Sequence, residues 1–164
     1  MGGTRVRPVQ GLLLGRTARG GSDGRRCAVK TIVFRYMVFG MTRVCTITTD
    51  QLIDAIAVVE SNRGATSENV YQLKPIYVRD VCRITRQTLT HEQATASDEI
   101  ARWCIGAYWE HYGARCARIS GKPADAQALA RIHNGGPDGW RKPETLPYWR
   151  RVSEALITNG FKGK

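Results

Sequence analysis

The chain has 164 residues, 42% of them hydrophobic and 24% charged, which is typical of one globular domain with a substantial core. Its formal net charge of +11 raises the question of nucleic-acid binding. The charge is uneven, however. Residues 1–44 carry nine Lys and Arg against one acid, whereas residues 45–164 carry sixteen against thirteen. Because no nucleic-acid-reading motif accompanies the basic part, no specific nucleic-acid partner is predicted.

Residues 1–40 are predicted to be a basic, glycine-rich leader that is disordered or not native, and residues 41–164 to be the folded domain. Seven glycines fall within the first 24 residues, so this part should not fold alone. The apolar run at 31–40 is interrupted by Arg35 and is too short to span a membrane. No clean cleavage site follows it, which argues against a secretory signal. We favour a later translation start over the alternative, a cationic arm for anionic envelope polymers.

The five cysteines are odd in number and form no Cys-x-x-Cys pair; they are Cys27, Cys45, Cys82, Cys104 and Cys116. This pattern argues against a zinc site and against a disulfide scaffold. Cys82 and Cys104 fall on apolar helical faces and are expected to be small core residues. We therefore predict synthesis in a reducing cytoplasm, with no metal and no cofactor.

The first predicted helix carries the most informative residue of the chain, Glu60. A capping-box pattern from Thr48 to Gln51 opens this helix. Its apolar stripe consists of Leu52, Ile53, Ile56 and Val59. Glu60 follows Ile56 by four residues and therefore projects from the same face. Because loss of solvent favours the protonated carboxyl, Glu60 is a candidate general acid, and the helix end at 61–64 would place it at the mouth of a cleft.

The remaining elements are also predicted to be helical. Residues 61–74 should form an irregular loop or a small hairpin. Helices are then expected to begin at Pro75, to run from about Asp98 to Tyr112, to run from about Pro123 to His133, and to begin near Pro147. Gly113 should end the third helix. Five helices with almost no strand signal predict a mainly α domain.

Three segments, in this order, resemble the motifs of the lysozyme-like superfamily. They are Glu60-Ser61 at a helix end, Tyr71-Gln72-Leu73, and His133-Asn134-Gly135-Gly136. The resemblance covers roughly residues 46–156 and is to soluble lytic transglycosylases and their phage or bacterial relatives. It implies a lysozyme-like helical domain with a short irregular loop or small hairpin beside the cleft. The chain departs from the pattern at His133, where the family has tyrosine, and in its short segment after Glu60.

The resemblance implies cleavage of the β-1,4 bond between N-acetylmuramic acid and N-acetylglucosamine in peptidoglycan, with Glu60 as general acid and base. It also implies a set of substrate-binding residues: Gln72, Asn134, His133, Tyr71, Gly135 and Trp140. The amide of Gln72 would bind acetamido or hydroxyl groups, and Gly135 would let the chain approach the sugar closely. Tyr71 and Trp140, together with Tyr77 and Tyr148, are candidates for stacking on sugar rings.

A second carboxylate would distinguish a lysozyme from a lytic transglycosylase, which uses one glutamate. Glu68 is the one candidate expected within reach. Asp80 is expected to be solvated, and Asp98 to be a helix-start charge. A one-carboxylate mechanism is therefore favoured. The alternative function is a non-catalytic wall-binding or virion module.

The implied partner is the glycan strand of peptidoglycan, and no integral membrane segment is expected. The protein should be a monomer. It should be made in a bacterial cytoplasm and act at the cell wall or periplasm, as a phage-encoded or secreted protein.

Overall fold

The computed structural model of the chain describes residues 30–62 and 69–160. Within these residues an antiparallel hairpin of β1 (Thr31–Val38) and β2 (Met41–Thr48) precedes the helices. The helices are α1 (Thr49–Ser61), α2 (Pro75–Thr85), α3 (His91–Thr95), α4 (Asp98–Ser120), α5 (Ala126–Gly135) and α6 (Leu146–Gly160). Two 3₁₀ turns, Gly139–Arg141 and Pro143–Thr145, connect α5 to α6. The predicted mainly α class is confirmed.

The hairpin of β1 and β2 spans the domain boundary predicted at residue 40. The two strands pair from Thr31 opposite Thr48 to Val38 opposite Met41, so that boundary would cut the hairpin at its turn. Phe34 is fully buried and packs edge-on against Trp149, with the ring centroids 5.8 Å apart. We therefore propose that the domain includes β1. Residues 1–29 of the predicted leader lie outside the described residues.

Helix α1 begins and packs as its sequence predicts. The side chain of Thr48 accepts a hydrogen bond from the Gln51 backbone N–H (3.1 Å), and the side chain of Gln51 accepts one from the Thr48 N–H (2.8 Å). These reciprocal bonds satisfy two donors that a helix start leaves open. The predicted apolar stripe is buried, and Glu60 is buried with it. This face packs mainly against α6.

Helix α4 is longer than predicted because Gly113 does not end it. Gly113 lies inside the helix, and a Cβ at this position would come within 3.1 Å of the Leu129 side chain on α5. The glycine therefore serves close helix packing. The helix ends instead at Gly121, whose φ of 70° is the usual conformation of a C-terminal cap. Trp103, although a large apolar residue of α4, is 42% exposed.

One further element differs from the prediction. The short helix α3 was not predicted, although its cap, in which Thr90 and Gln93 bond reciprocally, repeats the pattern that opens α1. In the segment 61–74, predicted to be an irregular loop or a small hairpin, residues 69–74 form a turn and irregular chain. Residues 63–68 lie outside the described residues.

The core forms around α5, which contacts α4, α6, α1 and β1. Fully buried side chains from five helices meet there: Leu52, Ile56, Val81, Ile105, Ile132 and Val152. Cys104 is also fully buried, and burial raises the pKa of its thiol to about 11, as expected of a core residue. No helix within residues 30–62 and 69–160 has the length and apolarity needed to cross a membrane.

Candidate active site

The end of α1, the start of α2, the middle of α4 and the end of α5 enclose a cavity of about 330 Å³. Its walls are formed by Glu60, Gln72, Lys74, Ile76, Tyr77, Asp80, Tyr108, His133, Asn134, Gly135, Gly136 and Pro137. Five of the seven residues predicted to act on or bind substrate are therefore brought together, although they come from three separate segments. The other two, Tyr71 and Trp140, are not among the residues that line this cavity.

Glu60 lies in the last turn of α1, and only 3% of its surface is exposed. Its burial follows from its place on the apolar face of the helix, and the cavity gives that face an opening. The side-chain amide of Gln72 donates a hydrogen bond to the backbone carbonyl of Glu60 (3.2 Å). This bond satisfies one of the carbonyls that a helix end leaves open. Gln72 therefore anchors the helix end that carries Glu60.

The loop that presents Gln72 contains no glycine within residues 69–74. Gln72 has a φ of +49°, which is uncommon for a residue with a side chain. The turn is closed by Asn69, whose amide donates to the carbonyl of Leu73 (3.0 Å) and accepts from its N–H (2.8 Å). A non-glycine residue held in a left-handed conformation is found most often at functional sites.

His133 is a neutral, buried side chain on the cavity wall. Burial lowers the pKa of the imidazole to about 4, against the smaller opposing effect of its hydrogen bond to the backbone carbonyl of Tyr71. Because a carbonyl only accepts, Nε2 carries the proton in that bond (3.2 Å). Nδ1 is then an acceptor, and it has no hydrogen-bond partner among the described residues. His133 therefore has a buried acceptor nitrogen beside the cavity, whereas the tyrosine of the lysozyme-like pattern would have a hydroxyl.

The Asn134-Gly135-Gly136 segment ends α5 at the cavity. Asn134 lies in the last helical turn, and the cap is Gly136, whose φ of 80° favours glycine. A Cβ on Gly135 would lie 2.5 Å from the methyl group of Thr145. Gly135 is thus required for packing within the protein, and the close approach to a sugar that we predicted stays a prediction.

A buried arginine braces the chain that follows this segment. Arg131 donates from Nε to the hydroxyl of Thr145 (2.8 Å) and from Nη2 to the carbonyl of Lys142 (2.9 Å). A Cβ on Gly139 would come within 2.0 Å of the Arg131 carbonyl, so only glycine fits there. These contacts, which the sequence alone did not reveal, fix the end of α5 against the segment leading to α6.

The structure contradicts the predicted stacking role of Tyr71. Its ring is 3% exposed, its hydroxyl donates to Asp98, and the guanidinium of Arg102 lies 5.7 Å from its centroid. A ring enclosed in this way has no face open to a sugar. Trp140 is half-buried against the core, and the guanidinium of Arg141 lies 5.9 Å from its ring. Tyr148 is also buried, at 2% exposure.

The aromatic residues that do line the cavity are Tyr77 and Tyr108. Their rings stack with centroids 3.9 Å apart, and the ring of His133 meets Tyr77 edge-on at 5.5 Å. Tyr77 is one of the predicted stacking candidates, whereas Tyr108 is not among them. Both are nearly buried, so they form the inner wall of the cavity.

Asp80 was expected to be solvated, and this expectation is wrong. It lines the cavity, and its side chain is 26% exposed. One oxygen accepts from the hydroxyl of Tyr112 (3.0 Å) and the other from Arg83 (3.4 Å). Asp80 follows Tyr77 by three residues, so both lie on the same face of α2, a signal that the sequence offered.

Asp98, another carboxylate considered, does not line the cavity. It begins α4, as predicted, and accepts hydrogen bonds from Tyr71 and from Arg102 (2.8 Å). The bond from Tyr71 holds the pKa of Asp98 below its usual range, with the bond and charge of Arg102 adding to the effect. Asp98 is therefore bonded to the segment before α2 and to its own helix. Glu68 lies outside the described residues.

Comparison with models of known protein families gave no match. Among solved structures, the chain resembles a chain of the crystal structure of Aeromonas hydrophila PliI in complex with Meretrix lusoria lysozyme. The TM-score is 0.49 and the identity 28%, over 62% of this chain and 85% of that chain.

Sequence relatives are named lysozymes. The chain is 34% identical over 105 residues to invertebrate-type lysozyme 6 of Caenorhabditis elegans, which covers 61% of this chain and 68% of that protein. It is 32% identical over 99 residues to a lysozyme of Meretrix lusoria, covering 60% of this chain and 75% of that protein. It is 44% identical over 66 residues to a lysozyme of Magallana gigas, covering 40% of this chain and 45% of that protein.

The chain therefore spans less than half of the Magallana gigas protein and about two thirds to three quarters of the other two. These relatives support the lysozyme part of the resemblance. They do not confirm its finer part, to lytic transglycosylases and phage proteins. With identity above 30% across most of two of the relatives, the chain belongs to the invertebrate-type lysozymes.

Proposed function

We propose that the protein is a lysozyme that hydrolyses the β-1,4 bond between N-acetylmuramic acid and N-acetylglucosamine in peptidoglycan, with Glu60 as the general acid. The observation that carries this proposal is the position of Glu60. Only 3% of the Glu60 surface is exposed, yet the residue lines a cavity together with Gln72, His133 and Asn134. A chain of the invertebrate-type lysozymes with this arrangement is best suited to glycoside cleavage.

The surroundings of Glu60 suit proton transfer to a glycosidic oxygen. A general acid must be held at a fixed distance from the leaving oxygen, and the Gln72 bond to the Glu60 carbonyl restrains the helix end that carries it. Limited access of water strengthens the electrostatic interactions of a carboxyl with a developing charge. The neutral ring of His133 adds no competing positive charge to the wall.

Polar groups along the cavity would bind the sugars on either side of the scissile bond. Nδ1 of His133 could accept a hydrogen bond if the buried nitrogen became accessible to a bound sugar, and the amide of Asn134 can both donate and accept. The stacked pair of Tyr77 and Tyr108 supplies an apolar wall. This mixture of a few placed polar groups and aromatic surface is typical of ligand sites.

We propose hydrolysis because the relatives are named lysozymes. Asp80 is the carboxylate that shares the cavity with Glu60 among the described residues. Its two oxygens are already bonded to Tyr112 and Arg83, which suits a fixed contact with a sugar hydroxyl. We therefore expect Asp80→Asn to lower activity less than Glu60→Gln. The one-carboxylate route, which forms an anhydro ring, is the alternative that product analysis distinguishes.

Peptidoglycan strands are accordingly the proposed partner, and the cell wall is the proposed place of action. The lysozyme relatives support both. They give no support to a phage origin or to synthesis in a bacterial cytoplasm. The monomeric state stays a prediction.

Clearance of a cell-wall suspension by Glu60→Gln tests the proposal. The substitution keeps the shape of the side chain and removes the transferable proton, so we expect activity to fall about 10²–10⁴-fold. The matched control is Glu110→Gln, because Glu110 lies on the exposed side of α4, where it pairs with Lys30. It should keep full activity. Clearance by Glu60→Gln at the parental rate would refute the assignment, and wild-type protein that binds the wall without cleaving it would favour the non-catalytic alternative.

A further inference from the structure

The hairpin of β1 and β2 leaves the domain with an exposed apolar end. Near its base, Ile32, Phe34 and Ile47 are buried against the helices. Toward the turn the side chains become exposed on both faces of the hairpin: Met37 is 63% exposed, Val44 58%, Met41 53% and Phe39 96%. We call these four residues the hairpin tip. Exposure on both faces shows that the tip projects beyond the helices of the described structure.

Phe39 is placed where neither the backbone nor the fold favours it. Phe39 and Gly40 form the two-residue turn between the strands, and both have positive φ, at 49° and 76°. Such turns strongly favour Asn or Gly at the first position. A phenylalanine there is conformationally strained, and at 96% exposure it gains almost no packing. When a residue breaks a local rule and the fold gives nothing in return, a functional reason is indicated.

The charges on the hairpin point to one kind of partner. Residues 31–48 contain two arginines, Arg35 and Arg43, and no acidic residue. Both arginines are exposed and set back from the turn, Arg35 opposite Val44 and Arg43 opposite Tyr36. An apolar end with guanidinium groups set back from it matches the boundary between the acyl chains and the anionic headgroups of a bilayer. Another protein surface would have to supply an apolar pocket and acids at the same spacing.

We propose that the hairpin tip inserts into anionic lipid bilayers, with Phe39 and the two methionines in the acyl boundary and the two arginines at the headgroups. This activity is separate from glycan cleavage and does not depend on it. It would hold the protein at the anionic membrane that lies beneath the bacterial wall.

Co-sedimentation with vesicles tests the proposal directly. The full chain should bind phosphatidylglycerol vesicles more tightly than phosphatidylcholine vesicles. Phe39→Asn keeps a residue suited to the turn and should weaken binding to phosphatidylglycerol at least about tenfold, the effect of losing one buried aromatic side chain. Arg35→Gln and Arg43→Gln should each weaken it about fivefold. The matched control is Ile119→Asn, an equally polar change at an apolar side chain that is 49% exposed on α4, and it should bind like the wild type.

A second measurement reports the depth of the tip. In Phe39→Trp, the added tryptophan emission should shift to shorter wavelength on phosphatidylglycerol vesicles and not on phosphatidylcholine. Unchanged binding of Phe39→Asn would overturn the proposal and assign lipid attraction to the basic residues 1–29. Dimerisation of the wild type that Phe39→Asn abolishes, without vesicle binding, would also overturn it and make the tip a contact between two copies of the chain.

Discussion

The buried imidazole of His133 should make the stability of this protein depend on pH in a way that one substitution removes. The ordinary pKa of histidine is about 6.5, and burial lowers that of His133 to about 4. Between these two values the unfolded chain binds a proton at this position and the folded chain does not. Protonation therefore favours the unfolded state in this window. The stabilising effect of the neutral ring is complete above about pH 6.5 and is lost as the pH falls toward 4.

The magnitude follows from the size of the shift. A difference of about 2.5 pKa units at about 1.36 kcal/mol per unit corresponds to roughly 3 kcal/mol of unfolding free energy lost between pH 7 and pH 4. This is a large part of the total stability of a small domain, which is about 5–15 kcal/mol. Carboxylates titrate in the same window, so the wild type alone cannot isolate the effect.

The assay is denaturant unfolding at several pH values for the wild type and for His133→Gln. Glutamine can donate to the carbonyl of Tyr71 but does not ionise, so the variant should be less stable at pH 7 and should lose about 3 kcal/mol less than the wild type on acidification. His111→Gln is the matched control, since His111 is exposed, and it should follow the wild type. Equal pH slopes for the wild type and His133→Gln would refute the reasoning.

Three further predictions concern Gly139, the start of the domain and Asn134. Gly139→Ala should destabilise the protein by roughly the several kcal/mol that overpacking costs, because the added Cβ would meet a backbone carbonyl. Gly106→Ala is the control, since a Cβ there has open space around it, and it should fold normally. The thermal midpoints of the two variants test this. Deletion of residues 1–29 should leave the thermal midpoint nearly unchanged. Deletion of residues 1–40 should lower it sharply, because it removes strand β1 with its buried side chains. Equal midpoints for the two deletions would instead support a domain that begins after residue 40. Asn134→Ala should reduce turnover more than stability, and a lowered midpoint with full activity in the folded fraction would make Asn134 purely structural.

The sequence predicts those features of the site that depend on local residue spacing better than those that depend on contacts between distant segments. Glu60 could be found because its place on an apolar helical face is a property of spacing alone. The burial of Tyr71 could not, because its hydroxyl partner Asp98 comes from a distant helix. The place of Asp80 in the cavity wall could not be predicted for the same reason, because its side chain is held there by hydrogen bonds from Tyr112 and Arg83.

The fold shows the same division. The capping box at Thr48 predicts the start of α1 correctly because its bonds are made within four residues. Gly113 was misread as a helix end because a glycine required by a neighbouring helix looks the same in sequence as one required by a cap. The hairpin was not predicted because β1 follows a glycine-rich basic segment and is itself short and interrupted by Arg35, while its burial depends on contact with α6 through Trp149.

Mass analysis of the fragments released from purified peptidoglycan tests the central claim most directly, because it identifies both the bond and the chemistry. We predict that the wild type releases muropeptides with reducing N-acetylmuramic acid ends. Under the same conditions Glu60→Gln should release almost none. Fragments released equally by both proteins, or ending in anhydro-muramic acid, would contradict hydrolysis of the glycan by Glu60.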